Sequence, residues 1–411
     1  MAVLRMSTII LVAILAATAM ACIAIISSNA LKTDSEQSAL TAFYTPPELF
    51  ETTPGTLLRL EALGTEVAGA HSYRMLYVTE DGQGNAAVAS GMAFVPVQNA
   101  TTPRPMVVWA HGTTGQGYSC APSRSAEPLS QLSEFIPTAI TRGWAVAAPD
   151  YLGLGTPGLE QYLLKEQEVR DTVNSIRALQ SIPGSETGNN FAVFGHSQGG
   201  HTALWTGHLS KQFAPELNLV GVAASAPAAE LTSIIDHQWN SVVGWVIGPE
   251  VMRSWPAGYP NLPVDSLLTK AAQNNYQRMA QECIADAAVE GQIRQELFNE
   301  SFFVENPAND PIWALALADQ TPPPFPANLP LMLVQGTADQ VVLAGPNADL
   351  QESWCATGST INALWLGGVD HLKAAQVAGP SVTAWLADRF AGETPSNTCN
   401  EPPPRSLITV Q

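Results

Sequence analysis

Phe191-Ala-Val-Phe-Gly-His-Ser-Gln-Gly-Gly-His201 is the stretch whose reading decides the fold. Strand-type residues run into Gly195-His196-Ser197-Gln198-Gly199, and a helix-permissive segment, Thr202 to Leu209, follows. This is the strand, sharp turn and helix context that a G-x-S-x-G serine requires. A serine aimed at a substrate sits on a turn too tight for its neighbours to carry side chains, and Gly195 and Gly199 supply that room. Ser197 is therefore the candidate nucleophile. A bare match of this kind arises by accident in roughly one chain in ten of this length. Its weight has to come from what surrounds it.

Working outward, the pattern alternates. Ser72 to Val78 and Ala86 to Val97 read as paired strands joined by the turn Asp81-Gly-Gln-Gly84. Pro105 to Ala110 and Trp144 to Ala148 are short apolar runs, hence buried strands, and Glu160 to Ser181 has helical spacing with charges between its apolar positions. After the serine segment come a strand at Leu219 to Ala224, another at Leu329 to Gln335, another at Ile361 to Leu366, and a closing helix over Val377 to Phe390. Strands alternating with helices predict an α/β fold with a largely parallel sheet covered on both faces. Between about 228 and 328 the alternation stops. Helical stretches over Leu267 to Ala288 and Gln292 to Phe303, with Trp239, Trp245, Trp255 and Trp313, lead to the exit Pro322-Pro-Pro-Phe-Pro326. The expected organisation is a core over 31–227 and 329–391, a helical cap inserted at 228–328, and a polar, proline-rich tail over 392–411. Residues 31 to 70 read as an N-terminal arm with turns at Pro46-Pro47 and Pro54-Gly55.

Residues 1–30 read as a targeting segment. Arg5 opens it, Ile9 to Ile26 is apolar apart from Thr18, and Ser28-Asn-Ala30 fits a cleavage site. An exported protein is expected, extracellular or periplasmic, with a retained membrane anchor or a lipoprotein box at Ala19-Met-Ala-Cys22 as alternatives. Forty-six per cent hydrophobic and 13% charged residues describe a globular chain. A net charge of −18 argues against nucleic acid or an anionic membrane surface as partner, and it also fits a saline habitat. Besides Cys22 there are Cys120, Cys283, Cys355 and Cys399, which in an exported chain read as two disulfides with three possible connectivities. No Cys or His spacing suggests a metal, and no cofactor is expected.

A serine nucleophile needs a base, a group that orients the base, and donors for the oxyanion. His371, in Gly367-Gly-Val-Asp-His-Leu372 after the last strand, is the favoured base. Asp339, in the turn Gly336-Thr-Ala-Asp339 after the strand from Leu331, is the favoured acid; Asp370 is its rival, but adjacent side chains rarely point at each other. The order Ser197, Asp339, His371 follows the Ser, Asp, His order of this chemistry. Trp109-Ala-His111-Gly112-Thr113 ends an early strand, so the Thr113 N–H together with that of Gln198 is the expected oxyanion hole, with His111 structural. Gly153-Leu-Gly-Thr-Pro-Gly158 matches a dinucleotide fingerprint but contains a proline and lacks the following acidic residue. Asn99-Ala-Thr101 and Asn299-Glu-Ser301 are glycosylation sequons.

With these residues in place, the sequence resembles the α/β-hydrolase superfamily and, within it, the secretory lipase family, over about residues 40 to 400. The resemblance rests on Pro149-Asp-Tyr-Leu-Gly153, Gly195-His-Ser-Gln-Gly-Gly200, Gly336-Thr-Ala-Asp339, His371, Cys120-Ala-Pro-Ser123 and the position of the helical insertion. His111-Gly112 is closer to general esterases. The resemblance implies disulfides Cys120–Cys283 and Cys355–Cys399, the first tying cap to core. It implies an exported serine ester hydrolase acting through an acyl-enzyme on apolar small-molecule or lipid esters, with lipid-interface contact through the cap. A short-chain or polyester-cleaving esterase, an amidase or peptidase on the same triad, and a non-catalytic binding module are the alternatives.

Overall fold

The computed structural model describes residues 35, 37–48, 50–132 and 134–407. The expected targeting segment lies outside the described residues. Two units separate at Thr45 and Pro46. In the described part of the first, residues 37–44 are helical and the rings of Phe43 and Tyr44 meet edge to face at 5.1 Å. All that follows concerns the second.

Its centre is a nine-stranded sheet in the order β1-β2-β3-β5-β4-β6-β7-β8-β9. β1 (Leu57–Ala62), β2 (Ala70–Glu80) and β3 (Ala86–Pro96) form an antiparallel meander, and β3 runs antiparallel to β5 (Ala145–Pro149). From there β5, β4 (Arg104–Ala110), β6 (Thr187–His196), β7 (Asn218–Ser225), β8 (Leu331–Gly336) and β9 (Ile361–Leu366) are parallel. β4 has β5 on one side and β6 on the other, so the strand order reverses there. In an open α/β sheet that switch point opens a crevice beyond the carboxyl ends of the strands. Ser197 and the His111-Gly112-Thr113 turn both follow directly on these ends.

Helices cover both faces, which is why the parallel strands are apolar throughout. Successive side chains point to opposite faces. Met106, Val108 and Ala110 accordingly join Phe191 and Val193 in one core, against α2 (Lys165–Gln180) and α3 (Gln198–Phe213). Val107 and Trp109 join Ala192 and Phe194 in the other, against α1 (Phe135–Thr141) and the final helix α10 (His371–Phe390).

Between β7 and β8 the chain passes through five helices: α4 (Leu231–Gln238), α5 (Val242–Gly258), α6 (Lys270–Met279), α7 (Ile284–Gln292) and α8 (Pro311–Gln320). They enclose a separate core in which Trp245, Trp255 and Trp313 are fully buried, the last two stacked at 5.5 Å. Tyr162, Leu163 and Leu164, from the loop before α2, belong to this core as well. α9 (Ala344–Ala356) connects β8 and β9.

Several boundaries differ from the sequence reading. The helix expected over 160–181 begins at Lys165, because Tyr162 to Leu164 are drawn into the core of the inserted helices. The stretch Leu267 to Ala288 is two helices, broken where Cys283 is bonded to Cys120. After Gln292 only one π-helical turn, Ile293–Leu297, continues. The closing helix starts at His371, six residues before the expected Val377, because the Asp370 carboxylate accepts the Lys373 N–H as an N-cap. The arm over 31–70 contains β1, a half-buried edge strand. Cys120 is bonded to Cys283 and Cys355 to Cys399, the pairings that the resemblance implies.

Candidate active site

β6 delivers the chain to Ser197, whose backbone sits at φ 56°, ψ −116°. Such a conformation persists only when the surroundings over-determine it. Here the Ser197 N–H is bonded to the Ser225 carbonyl at 2.9 Å, and the Ser197 carbonyl accepts from Ala228 and His201. The flanking glycines are sterically required. A Cβ on Gly195 would collide with the Gly199 carbonyl, and one on Gly199 with the carbonyl of Ala110.

The turn after β8 and the start of α10 bring two further side chains to the serine. His371 Nε2 lies 3.0 Å from Ser197 Oγ, and His371 Nδ1 lies 2.7 Å from Asp339 Oδ2. Asp339 is buried, and its other oxygen accepts the N–H groups of Val341 (2.9 Å) and Val342 (3.0 Å). Those bonds fix the carboxylate, which in turn selects the tautomer of His371 with the proton on Nδ1 and the lone pair of Nε2 towards Ser197. Asp370, the rival acid, is spent on capping α10.

His196 packs on His371 with ring centroids 4.7 Å apart. Burial, reinforced by the charge that His371 can carry, pushes its pKa well below the usual value, so His196 stands beside His371 as a neutral ring. His111 is buried with Nδ1 2.6 Å from the Gly112 carbonyl and Nε2 3.2 Å from that of Asp150. Asp150 accepts from Ser90 Oγ (2.7 Å), from the Ser123 N–H (2.8 Å) and from the Ser123 hydroxyl. The separated motifs Cys120-Ala-Pro-Ser123 and Pro149-Asp-Tyr151 thus meet in space.

The candidate oxyanion groups flank the serine. A Cβ on Gly112 would lie 3.4 Å from Ser197 Cβ, so the backbone of this turn rests on Ser197. The Gly112 N–H is taken by Gln131 Oε1 at 3.2 Å, and the Thr113 hydroxyl bonds Tyr162 OH at 2.8 Å. Gln198 opens α3, where a backbone N–H has no carbonyl one turn back to bond. A cavity of about 340 Å³ opens over Ser197, His371 and Thr113, its wall formed by Val242, Val246 and Ile284 among other apolar side chains. Among the described residues no group of His, Cys, Asp and Glu could hold a metal ion. Gly153 to Gly158 is a series of bends with no helix directly after it.

Three residues near the serine carry no signal in the sequence. Gln131 reaches the Gly112 N–H from a loop, and Glu160 and Glu168 hold the side chain of Gln198. In the sequence the two glutamates are only charges between the apolar positions of a helical pattern; in the structure both are buried.

A sequence profile of the secretory lipase family matches residues 129–398. A secreted triacylglycerol lipase of Malassezia globosa is 24% identical over 387 residues, which cover 87% of this chain and 83% of that protein. A probable inactive lipase of Mycobacterium tuberculosis is 23% identical over 382 residues, covering 85% and 82%. Among solved structures, lipase A of Candida antarctica has a TM-score of 0.68 at 19% identity, covering 88% of each chain. A rice cell wall degrading esterase of Xanthomonas oryzae has a TM-score of 0.67 at 20% identity, covering 83% of this chain and 99% of that one. At these identities the two structures speak for the α/β-hydrolase fold.

Proposed function

Since the chain belongs to the secretory lipase family, we propose that it is an exported serine carboxylic ester hydrolase acting on apolar acyl esters through an acyl-enzyme. The observation that carries the reading is the continuous relay from Asp339 Oδ2 through both His371 nitrogens to Ser197 Oγ, at 2.7 and 3.0 Å. His371 Nε2 takes the proton as Ser197 Oγ attacks the ester carbonyl, and Asp339 stabilises the imidazolium that forms. The N–H groups of Thr113 and Gln198 bind the developing oxyanion, where fixed donors in a dry site are worth more than water. His371 then protonates the leaving alcohol. A water deprotonated by the same nitrogen attacks the acyl-enzyme, and collapse of the second tetrahedral intermediate frees the acid and restores Ser197.

The apolar wall of the cavity over Ser197 favours an apolar acyl group over a charged one. The inserted helices form the cap over this site. Their exposed Val289, Leu297 and Phe298, which are 61%, 75% and 66% accessible, are the side chains that would meet a lipid surface. One relative is a probable inactive lipase; the presence of each member of the relay at bonding distance supports the catalytic reading for this chain.

Hydrolysis of p-nitrophenyl esters from acetyl to palmitoyl, by the mature protein and its Ser197→Ala variant, tests the proposal. Turnover that needs Ser197 and peaks at long chains is expected. A peak at acetyl would move the assignment to a short-chain or polyester-cleaving esterase. Turnover of matched amides at comparable rates would favour an amidase, and no turnover at all a silent binding protein.

A further inference from the structure

Next to Ser197, through Gln198, lies a group of buried carboxylates that do not line the cavity and that the chemistry above does not use. Gln198 is 1% exposed, and its side chain runs inward from the first position of α3. The carboxamide nitrogen donates to Glu160 Oε1 at 2.9 Å and to Glu168 Oε1 at 3.1 Å. A carboxamide has two N–H donors, and here each finds its own carboxylate. Glu160 also connects to the inserted helices: its carbonyl accepts from Ser254 Oγ on α5 at 2.8 Å, and Gln116 Nε2 bridges from the oxyanion loop to Ser254 Oγ (2.8 Å) and the Glu250 carbonyl (2.9 Å).

We propose that Glu160 is a positioning residue: paired with Glu168 it clamps the Gln198 carboxamide, which fixes the backbone N–H of Gln198 towards the oxyanion and couples the strained turn at Ser197 to helix α5. The inference rests on the acyl-transfer reading of Ser197. It deepens that reading by naming what keeps the turn in place. Ser197 has no freedom to relax while the residue after it is held by two bonds in the core.

The protonation of the clamp follows from its geometry. Two carboxylate oxygens on one amide nitrogen lie within about 6 Å of each other, too close for both to be charged in a dry interior at little cost. Glu168 is saturated as an acceptor, with Leu163 N–H at 3.0 Å, His201 Nδ1 at 2.9 Å and Thr202 Oγ1 at 2.9 Å besides Gln198. Among the described residues the Glu160 carboxyl group accepts from one donor, Gln198, so the proton that relieves the pair sits on Glu160. Burial is the first cause that pushes its pKa up to about 8, with Glu168 and Asp171 adding to it. The other groups that bear on it are Glu250 on α5 with Arg253 beyond, Tyr151 and Tyr162 from the loops on either side, and His201 on α3, which Glu168 holds. Glu160 is thus neutral at pH 7. Above about pH 8 it ionises, two charges share one amide, and the clamp loosens.

The test compares wild type with Glu160→Ala, Glu160→Gln and Ser197→Ala in ester hydrolysis from pH 6 to 10, with folding followed by circular dichroism and melting. Glu160→Ala removes the acceptor and is expected to lower kcat about 10- to 100-fold per folded molecule, with KM within about twofold, as for a misplaced transition-state donor. Glu160→Gln restores a neutral acceptor. It is expected to recover most of that loss at pH 7 and to lack the decline in kcat expected of wild type above pH 8. A purely structural role would lower the melting temperature of Glu160→Ala with kcat per folded molecule unchanged, and that result overturns the proposal. So does an alkaline decline that persists in Glu160→Gln; this second readout decides the matter alone if the alanine variant does not fold. Turnover that survives in Ser197→Ala would overturn the acyl-transfer reading, and this inference with it, independently of the Glu160 variants.

Discussion

Removing the Cys120–Cys283 bridge by Cys120→Ser/Cys283→Ser should cost both stability and activity. The bridge closes a loop of 163 residues. Chain-entropy bookkeeping for that length gives about 5 kcal/mol at 25 °C, against about 4 kcal/mol for the separation of 44 closed by Cys355–Cys399. A chain of this length unfolds with an entropy near 0.8 kcal/mol per degree, so the expected drop in melting temperature is about 6 °C for the first pair and about 5 °C for the second. The two bridges differ more in what they flank. Beside the first, the Gln116 N–H bonds the Ala280 carbonyl at 2.7 Å and the Ile284 N–H bonds the Thr114 carbonyl at 2.9 Å, which ties the loop carrying Thr113 to the break between α6 and α7. Its loss should therefore lower kcat as well, whereas Cys355→Ser/Cys399→Ser should leave kcat per folded molecule nearly intact. Scanning calorimetry and ester hydrolysis on both double variants provide the assay. A shift below about 1 °C for the first pair, or a loss of kcat confined to the second, would refute an entropic tie that also steadies the loop carrying Thr113.

Asp339→Asn should lower kcat about 10⁴-fold with little change in KM, since an amide presents an N–H to His371 Nδ1 and favours the wrong tautomer; steady-state kinetics at pH 7 checks it, and a loss below tenfold would contradict the relay. Gly199→Ala places a Cβ against the carbonyl oxygens of Ala110 and His111, so the variant should melt several degrees lower or fail to express, and wild-type melting would contradict the steric argument. Stability should fall as pH rises from about 4.5 to about 8, because the folded chain holds a proton on Glu160 that the unfolded chain has released. With the folded pKa raised, that stability is complete below the unfolded value and is lost as pH approaches the folded one. The contribution is about 5 kcal/mol, and melting curves across this range should be flatter for Glu160→Gln than for wild type.

What the sequence makes legible follows from the range of each signal. Ser197 is legible because its constraints are local: a strand, two glycines that admit no Cβ and a helix start lie within eleven residues. Asp339 and His371 are legible once the strands are placed, since each follows directly on a strand end of the same sheet edge. Glu160 and Glu168 are not. Whether a glutamate in a helical pattern faces water or a buried amide depends on Gln198 and Ser254, which lie 38 and 94 residues from Glu160. The same holds for the loop at 160–164, where Tyr162 and Leu163 continue an amphipathic pattern but are drawn from the helix by partners such as Thr113 and Trp255. The break between α6 and α7 is equally remote in origin, since Gly115 and Gly117 press against the carbonyls of Glu282 and Gln281 across the Cys120–Cys283 bridge.

The most direct measurement is to treat the folded protein with diethyl p-nitrophenyl phosphate and map the adduct by peptide mass spectrometry. An activated serine displaces p-nitrophenolate and keeps the diethylphosphoryl group, while an ordinary surface serine does not react on the same timescale. One adduct per chain, on the peptide containing Ser197 and absent from Ser197→Ala, is the predicted result. No adduct, or one on another residue, would contradict the assignment of Ser197 as the nucleophile.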